Sequence, residues 1–219
     1  MGRRREASRR NDRLTKRIFL AGASGAVGKR LVPLLIAAGY QVSGTTRSPE
    51  KAQQLRRAGV DPFVVDVFDA SKLNEAMTAA KPEIVIHQLT DLRPGVDPAR
   101  MAEALPRNAR IRIEGTKNLV AAALAAGAGR LISQSIAWES QGISAEGVAA
   151  LERLTLNSPP LEGTVLRYGR LYGPGTGKAQ PADQLACHVD VAAAAALVAI
   201  EKGEPGIYSV VDWAPYLRL

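Results

Sequence analysis

Cysteine and histidine are nearly missing from this chain: Cys187, His87 and His188 are the whole supply in 219 residues. A lone thiol makes no internal disulfide and no cysteine zinc cluster, so a reducing, cytoplasmic setting is expected. The two histidines stand too far apart in sequence to offer metal-ligand spacing, and no metal site is expected. Long apolar runs are missing too, since no stretch approaches the ~20 residues of a membrane span. Yet 46% of the residues are apolar, enough for a sizeable core. Excess charge is absent from most of the chain. The net +8 sits at the start, where Arg3, Arg4, Arg5, Arg9, Arg10, Arg13, Lys16 and Arg17 face only Glu6 and Asp12. The remainder holds 21 basic and 19 acidic side chains and is close to neutral.

Residues 1–16 offer little apolar surface to bury and are expected to be a disordered basic tail. Two readings of it stand: an arm that touches nucleic acid or an acidic surface, or an extended start that does little. Ser8-Arg9-Arg10 is followed by a glycine-rich strand rather than an apolar signal segment, so export is not expected. Residues 17–219 are expected to form one domain.

In that domain short apolar runs alternate with helical ones. Strands are expected at 17–21, 40–46, 62–66, 83–89, 130–135, 163–168 and 206–211. Helices are expected at 29–38, 49–58, 71–80, 109–126, 145–156 and 191–201. Ser48-Pro49 supplies an N-cap oxygen and a first-turn proline, while Pro33 falls inside the first helix and should bend it. Such alternation predicts right-handed βαβ units and an α/β fold with a doubly wound parallel sheet. The stretch from Asp97 to Arg112 is rich in arginine. It reads as a solvated helix face in preference to a phosphate-facing wall.

Gly22, Gly25 and Gly28, three apart, join the first strand to the first helix. Backbone N–H groups at a helix start, unscreened by side chains, make a site for a pyrophosphate, and the strand–turn–helix context marks a dinucleotide fingerprint. Gly22, Ser24, Gly25, Ala26, Val27 and Gly28 are the expected cradle. The second strand ends Thr45-Thr46-Arg47, with no carboxylate to bind ribose hydroxyls. Thr46 and Arg47 therefore point to a 2′-phosphate and to NADP, with NAD the alternative. Asp66 and Val67 should lie by the adenine, and Leu89 and Thr90 by the ribose and nicotinamide.

These residues, with Val85-Ile86-His87, Glu114-Gly115-Thr116 and the run from Arg167 to Pro174, resemble the NAD(P)-dependent epimerase/dehydratase family. This is the extended or atypical short-chain dehydrogenase/reductase group. The resemblance implies a Rossmann-type fold, a bound nicotinamide dinucleotide and a sugar-nucleotide or small carbonyl substrate. It also exposes departures. The family's acid/base tyrosine and the lysine four residues later fall on Ser144 and Val148, and the asparagine before Gly-Thr falls on Arg112. Ser133 or Ser135 is left as hydrogen-bond donor to a substrate oxygen, with Tyr168 or Tyr172 as proton donor. The strand-to-helix link at 138–142 and the segment between Gly177 and His188 are short, so only a minimal C-terminal cap is expected. Two functions follow: an oxidoreductase or epimerase with an atypical site containing Ser135, Tyr168 and Tyr172, or a non-catalytic NADP(H)-binding sensor or scaffold. Gly173 to Lys178 is not a phosphate loop, because Tyr172 and Ala179 replace residues that loop requires. Cys187 and His188, being adjacent, do not form a nucleophile–base pair, and His87 reads as a core or pocket-lining residue.

Overall fold

The computed structural model describes residues 16–91 and 98–219, with backbone alone at 98–101. In chain order the elements are β1 (Arg17–Ala21), α1 (Ala26–Ala37), β2 (Gln41–Thr46), α2 (Pro49–Arg57), β3 (Asp61–Val64), α3 (Ala70–Ala80) and β4 (Ile84–His87). A helical run follows: α4 (Pro98–Arg110), a π-helical turn (Ile111–Gly115) and α5 (Thr116–Ala125). Then come β5 (Arg130–Ile136), α6 (Gly142–Leu156), β6 (Glu162–Tyr168), β7 (Arg170–Tyr172), β8 (Ala186–His188), α7 (Val189–Lys202), β9 (Gly206–Val211) and β10 (Ala214–Arg218).

The main sheet has the order β10-β9-β6-β5-β4-β1-β2-β3. All its pairings are parallel except β9 with β10, which closes one edge antiparallel. Strand order reverses between β1 and β4, the switch point at which such sheets bind ligands beyond their carboxyl ends. The expected doubly wound α/β class is the observed one.

Alternation along the central strands builds a core on each face. Ile18, Leu20, Ile84, Ile86, Ile132 and Leu166 pack against Leu31 and Leu35 of α1 and Ala192 to Ile200 of α7. Their neighbours Phe19, Ala21, Val85 and Leu131 pack against Leu73 and Met77 of α3 and Leu119 of α5 on the other face. Arg30 of α1 and Asp190 of α7 are ion-paired beside the first core.

Local chemistry fixes the helix starts. The Ser48 hydroxyl accepts the Lys51 N–H at 3.2 Å ahead of Pro49, and Asp69 accepts the Lys72 N–H at 3.1 Å. Pro33 does not interrupt α1, which runs through it. The helix expected from 109 begins instead at Pro98, so the arginine-rich stretch belongs to one helical run broken in register by the π turn. The short β7, β8 and β10 lay outside the sequence reading, and β7 pairs parallel with β8 as a separate two-stranded sheet. The proposed tail, apart from Lys16, lies outside the described residues. Among the described residues no helix is long and apolar enough to cross a membrane.

Candidate functional site

The three glycines of the turn answer to different constraints. Gly22 has φ +95°, and a Cβ there would lie 2.7 Å from the Gln88 carbonyl oxygen at the end of β4. A Cβ on Gly28 would sit 2.3 Å from the Gly22 oxygen and 2.7 Å from that of Ala23, so glycine lets α1 close onto the turn. Gly25 is different. Its φ of −76° suits any residue, it is exposed, and a Cβ would meet only the Gly22 oxygen, at 3.2 Å. The fold asks little of Gly25; the open space before it is what glycine preserves.

That space faces a helix start built to attract an anion. Gly25 caps α1 without a side-chain bond, and no acidic residue lies in the first turn, in contrast to α2 with its Ser48 cap and Glu50. The first N–H groups of α1 have no intrahelical acceptor and lie at the positive end of the dipole. Gly175, at φ +84°, brings the 173–178 loop alongside, its Cβ position being 3.7 Å from Ala26 Cα. A pyrophosphate suits this cradle in charge and donor set.

At the end of β2, Thr45 Oγ1 accepts the Gly22 N–H at 3.3 Å, and Ser24 Oγ donates to Thr46 Oγ1 at 3.4 Å. Threonines thus tie β2 to the turn. Arg47 is well exposed, 3.9 Å from Asp66 and 3.6 Å from Asp91. Pairs this loose and solvated are worth at most about 1 kcal/mol. Asp66 Oδ1 accepts the Phe68 N–H at 3.0 Å, which shapes the turn carrying the buried Val67. Asn118 holds the Val67 carbonyl at 2.9 Å. Beyond β4, the Leu89 N–H donates to His87 Nδ1 at 3.2 Å and Thr90 donates to Asn108 at 2.9 Å. These expected cofactor residues converge on one edge, over the carboxyl ends of β1 to β4.

The three candidate catalytic residues are not brought together. Ser135 lies at the end of β5 on the α6 side, and its hydroxyl donates to Glu152 Oε1 at 2.7 Å. Its proton is therefore engaged and its lone pairs are what it can present. Tyr168 points to the opposite face, as alternation with Arg167 requires. It is 1% exposed, packs in the α1/α7 core and accepts from Gln88 Nε2 at 3.1 Å. Burial raises its pKa well above the ordinary phenol value, which suits a floor and not a proton donor. Tyr172 sits on β7 and donates to Asp212 at 2.7 Å, with His188 edge-on at 5.0 Å. Ser133 is hydrogen-bonded to the Thr155 hydroxyl at 2.8 Å, and that hydroxyl also bonds the Leu151 carbonyl at 2.8 Å. Cys187 is buried and its thiol is pushed up to about 12, while His188 Nδ1 accepts from the Asp190 N–H, so the two remain separate.

A charged cluster occupies the α6 side instead. Ser144, Val148 and Glu152 share one face of α6 at four-residue spacing. Glu152 stands one turn beyond the family's lysine position. Arg167 grips it with two bonds, Nε to Oε1 at 2.8 Å and Nη2 to Oε2 at 2.6 Å. Arg112, on the π turn, is 8% exposed. Burial pulls its pKa down, and the Glu152 charge opposes that. Gly147 allows α6 to press on α4, where its Cβ position is 3.0 Å from Ala109 Cα. In the sequence Arg167 carries only the resemblance and Arg112 only a departure, and Glu152 has no assigned role. The available signal was the four-residue row ending in a carboxylate.

His87 completes the group. With Nδ1 accepting from Leu89, its Nε2–H donates to Thr116 Oγ1 at 3.1 Å, so the ring is neutral. Burial, then the Arg112 charge, lowers its pKa to about 4. The unfolded chain binds more protons between that value and the ordinary 6.5. Stability from neutral His87 is thus full above pH 6.5 and is lost as pH falls toward 4. The effect is about 3 kcal/mol. Urea unfolding at both ends of that window should show His87→Asn losing distinctly less stability on acidification than wild type. Equal losses would contradict the assignment.

Comparison with known proteins agrees with this geometry. A family model described as NAD(P)H-binding matches residues 22–140. A 3-diazoavenalumate denitrifying reductase from a Streptomyces species is 38% identical, covering 91% of this chain and 77% of the relative. Within that alignment of 240 positions the relative carries about 40 residues with no counterpart in this chain. UDP-glucose 4-epimerase of Thermotoga maritima superposes with a TM-score of 0.71 at 20% identity, over 89% of this chain and 76% of that one. The Bordetella bronchiseptica enzyme WbmG, in complex with NAD, gives 0.69 at 20% identity, over 91% and 74%. Fold, glycine turn, family model and relative agree: the chain belongs to the NAD(P)H-binding family, and it shares its fold with the epimerase structures.

Proposed function

We propose that this protein is an NADP(H)-dependent reductase of a small carbonyl-type acceptor, operating without a tyrosine–lysine pair. The observation that carries this is the open, uncapped α1 N-terminus at the sheet's switch point. The 38% identity with a reductase over nine tenths of the chain favours reduction over epimerisation, because the epimerases are alike in fold alone.

Bound NADPH would supply a hydride. The chain's own residues hold and orient. The turn from Gly22 to Gly28 takes the pyrophosphate, Asp66 and Val67 flank the adenine, and Leu89 and Thr90 line the ribose leading to the nicotinamide. Arg47 meets the 2′-phosphate, exchanging two loose carboxylate contacts for a charge-assisted phosphate pair. Glu152 and Arg167 fix Ser135 beside the acceptor, and a proton from solvent completes the reduction. Arg47→Ala should weaken NADPH binding by about tenfold or more, near 1.4 kcal/mol, and change NADH binding by less than about twofold. Equal losses for both would contradict the 2′-phosphate role; calorimetry with each nucleotide decides.

Ser144 and Val148, standing where the acid/base pair belongs, favour a second reading in which the protein binds NADP(H) without reacting. A panel of aldehydes, ketones and diazo acids, followed by NADPH consumption, separates them. Oxidation above the enzyme-free rate with any member supports the reductase. NADPH bound but never oxidised favours the sensor.

A further inference from the structure

We infer that Arg112 anchors a carboxylate on the substrate, so that the acceptor is a small organic acid; this rests on the reductase reading for where the acceptor lies. The α6-side cluster holds two guanidinium groups, Arg112 and Arg167, against one carboxylate, Glu152. Both Glu152 oxygens are already engaged: Oε1 by Ser135 and Arg167 Nε, Oε2 by Arg167 Nη2. His87 adds no negative charge, and its one N–H is spent on Thr116. Arg112 is left more than nine-tenths buried, with no hydrogen bond or ion pair among the described residues. Glu152 on α6 acts on Arg112, and Arg112 on His87 at the end of β4, through the field.

Buried charges are ordinarily paired, because desolvation costs several kcal/mol per ion. An unpaired buried guanidinium therefore marks a missing anion. The cofactor does not provide it. The pyrophosphate belongs to the α1 N-terminus on the other face of the sheet, and the 2′-phosphate belongs to Arg47 beyond β2. What remains is the acceptor itself. Among the described residues the sealed, partnerless side-chain atoms are Gln88 Oε1 and Tyr216 Oη. The Arg112 nitrogens are not sealed and keep access to solvent. A planar five-donor fork matches a carboxylate by two parallel bonds, as an ammonium would not. Its seat is a π turn, a local distortion that recurs at functional sites.

The test uses full-length protein saturated with NADPH and four acid–amide pairs: acetate, pyruvate, benzoate and cinnamate, each against its amide. Calorimetry should show at least one acid binding about tenfold or more tighter than its amide, a preference near 1.4 kcal/mol. Arg112→Met should erase that preference while leaving NADPH affinity within about twofold, and Arg112→Lys should keep part of it. The inference is overturned if no acid is preferred by wild type, a result that needs no variant to fold. It is also overturned if Arg112→Met keeps the preference. Acid preference without NADPH oxidation by any acceptor would sink the reductase reading and leave the anion site standing. NADPH oxidation without acid preference would do the reverse.

Discussion

Gly25→Val should abolish measurable NADPH binding and leave the fold intact. The backbone at this position, φ −76° and ψ 178°, is extended and well suited to a β-branched residue. The protein itself meets a Cβ there only at the Gly22 oxygen, 3.2 Å away, which a shift of a few tenths of an ångström relieves. The side chain would instead occupy the space that a pyrophosphate needs and cover the first N–H groups of α1. A loss of about 100-fold or more, near 3 kcal/mol, is expected by calorimetry, with Tm shifted by less than about 2 °C. Gly28→Ala is the contrasting control. Its Cβ would lie 2.3 Å from a backbone oxygen, so α1 must move off the turn and both Tm and binding fall. If Gly25→Val bound NADPH normally, the cradle would lie elsewhere. If it unfolded, Gly25 would serve structure first.

Glu152→Gln should be the most destabilising single change on the α6 side. Gln keeps the volume and removes the charge that holds Arg167 and opposes the burial of Arg112. Breaking a buried pair costs about 3–5 kcal/mol. Arg167 is 34% exposed, so solvent screening reduces this to about 2–3 kcal/mol. For a domain of this size, Tm should fall by roughly 5–10 °C. Arg112→Met in the same chain should recover part of the loss, because the uncompensated charge goes with it. Unchanged stability in Glu152→Gln, or no recovery in the double variant, would show that the cluster is not electrostatically coupled.

Much of the fold was legible because β1 and β4, at the centre of the sheet, are buried on both faces and read as short apolar runs. The turn was legible because three glycines in seven residues carry a geometric demand. Other features needed distance. The contact of Ser135 and Arg167 with Glu152 joins residues 17 and 15 apart, and nothing local announces it. The helix from Pro98 was obscured by Pro106 and by arginines that read as solvated, though Arg112 is buried. A π turn has no signature in composition. Tyr168 is a different case: expected as a proton donor with Ser135, it lies in the α1/α7 core, on the face that its two-residue alternation with Leu166 dictates. β7, β8 and β10 are three to five residues long and set among turns, with Pro215 inside the last, so their pattern did not stand out.

In the proposed reductase the glycine turn serves hydride transfer as well as binding. The direct measurement is label transfer: NADPH deuterated at one face of nicotinamide C4, incubated with the protein and each acceptor, with products analysed by mass spectrometry. The expected result is an acceptor whose product gains one deuterium from one labelled face, with matching formation of NADP. Label retained in NADPH across the whole panel, with NADPH bound, would contradict it and make the Gly22–Gly25–Gly28 turn a binding site alone.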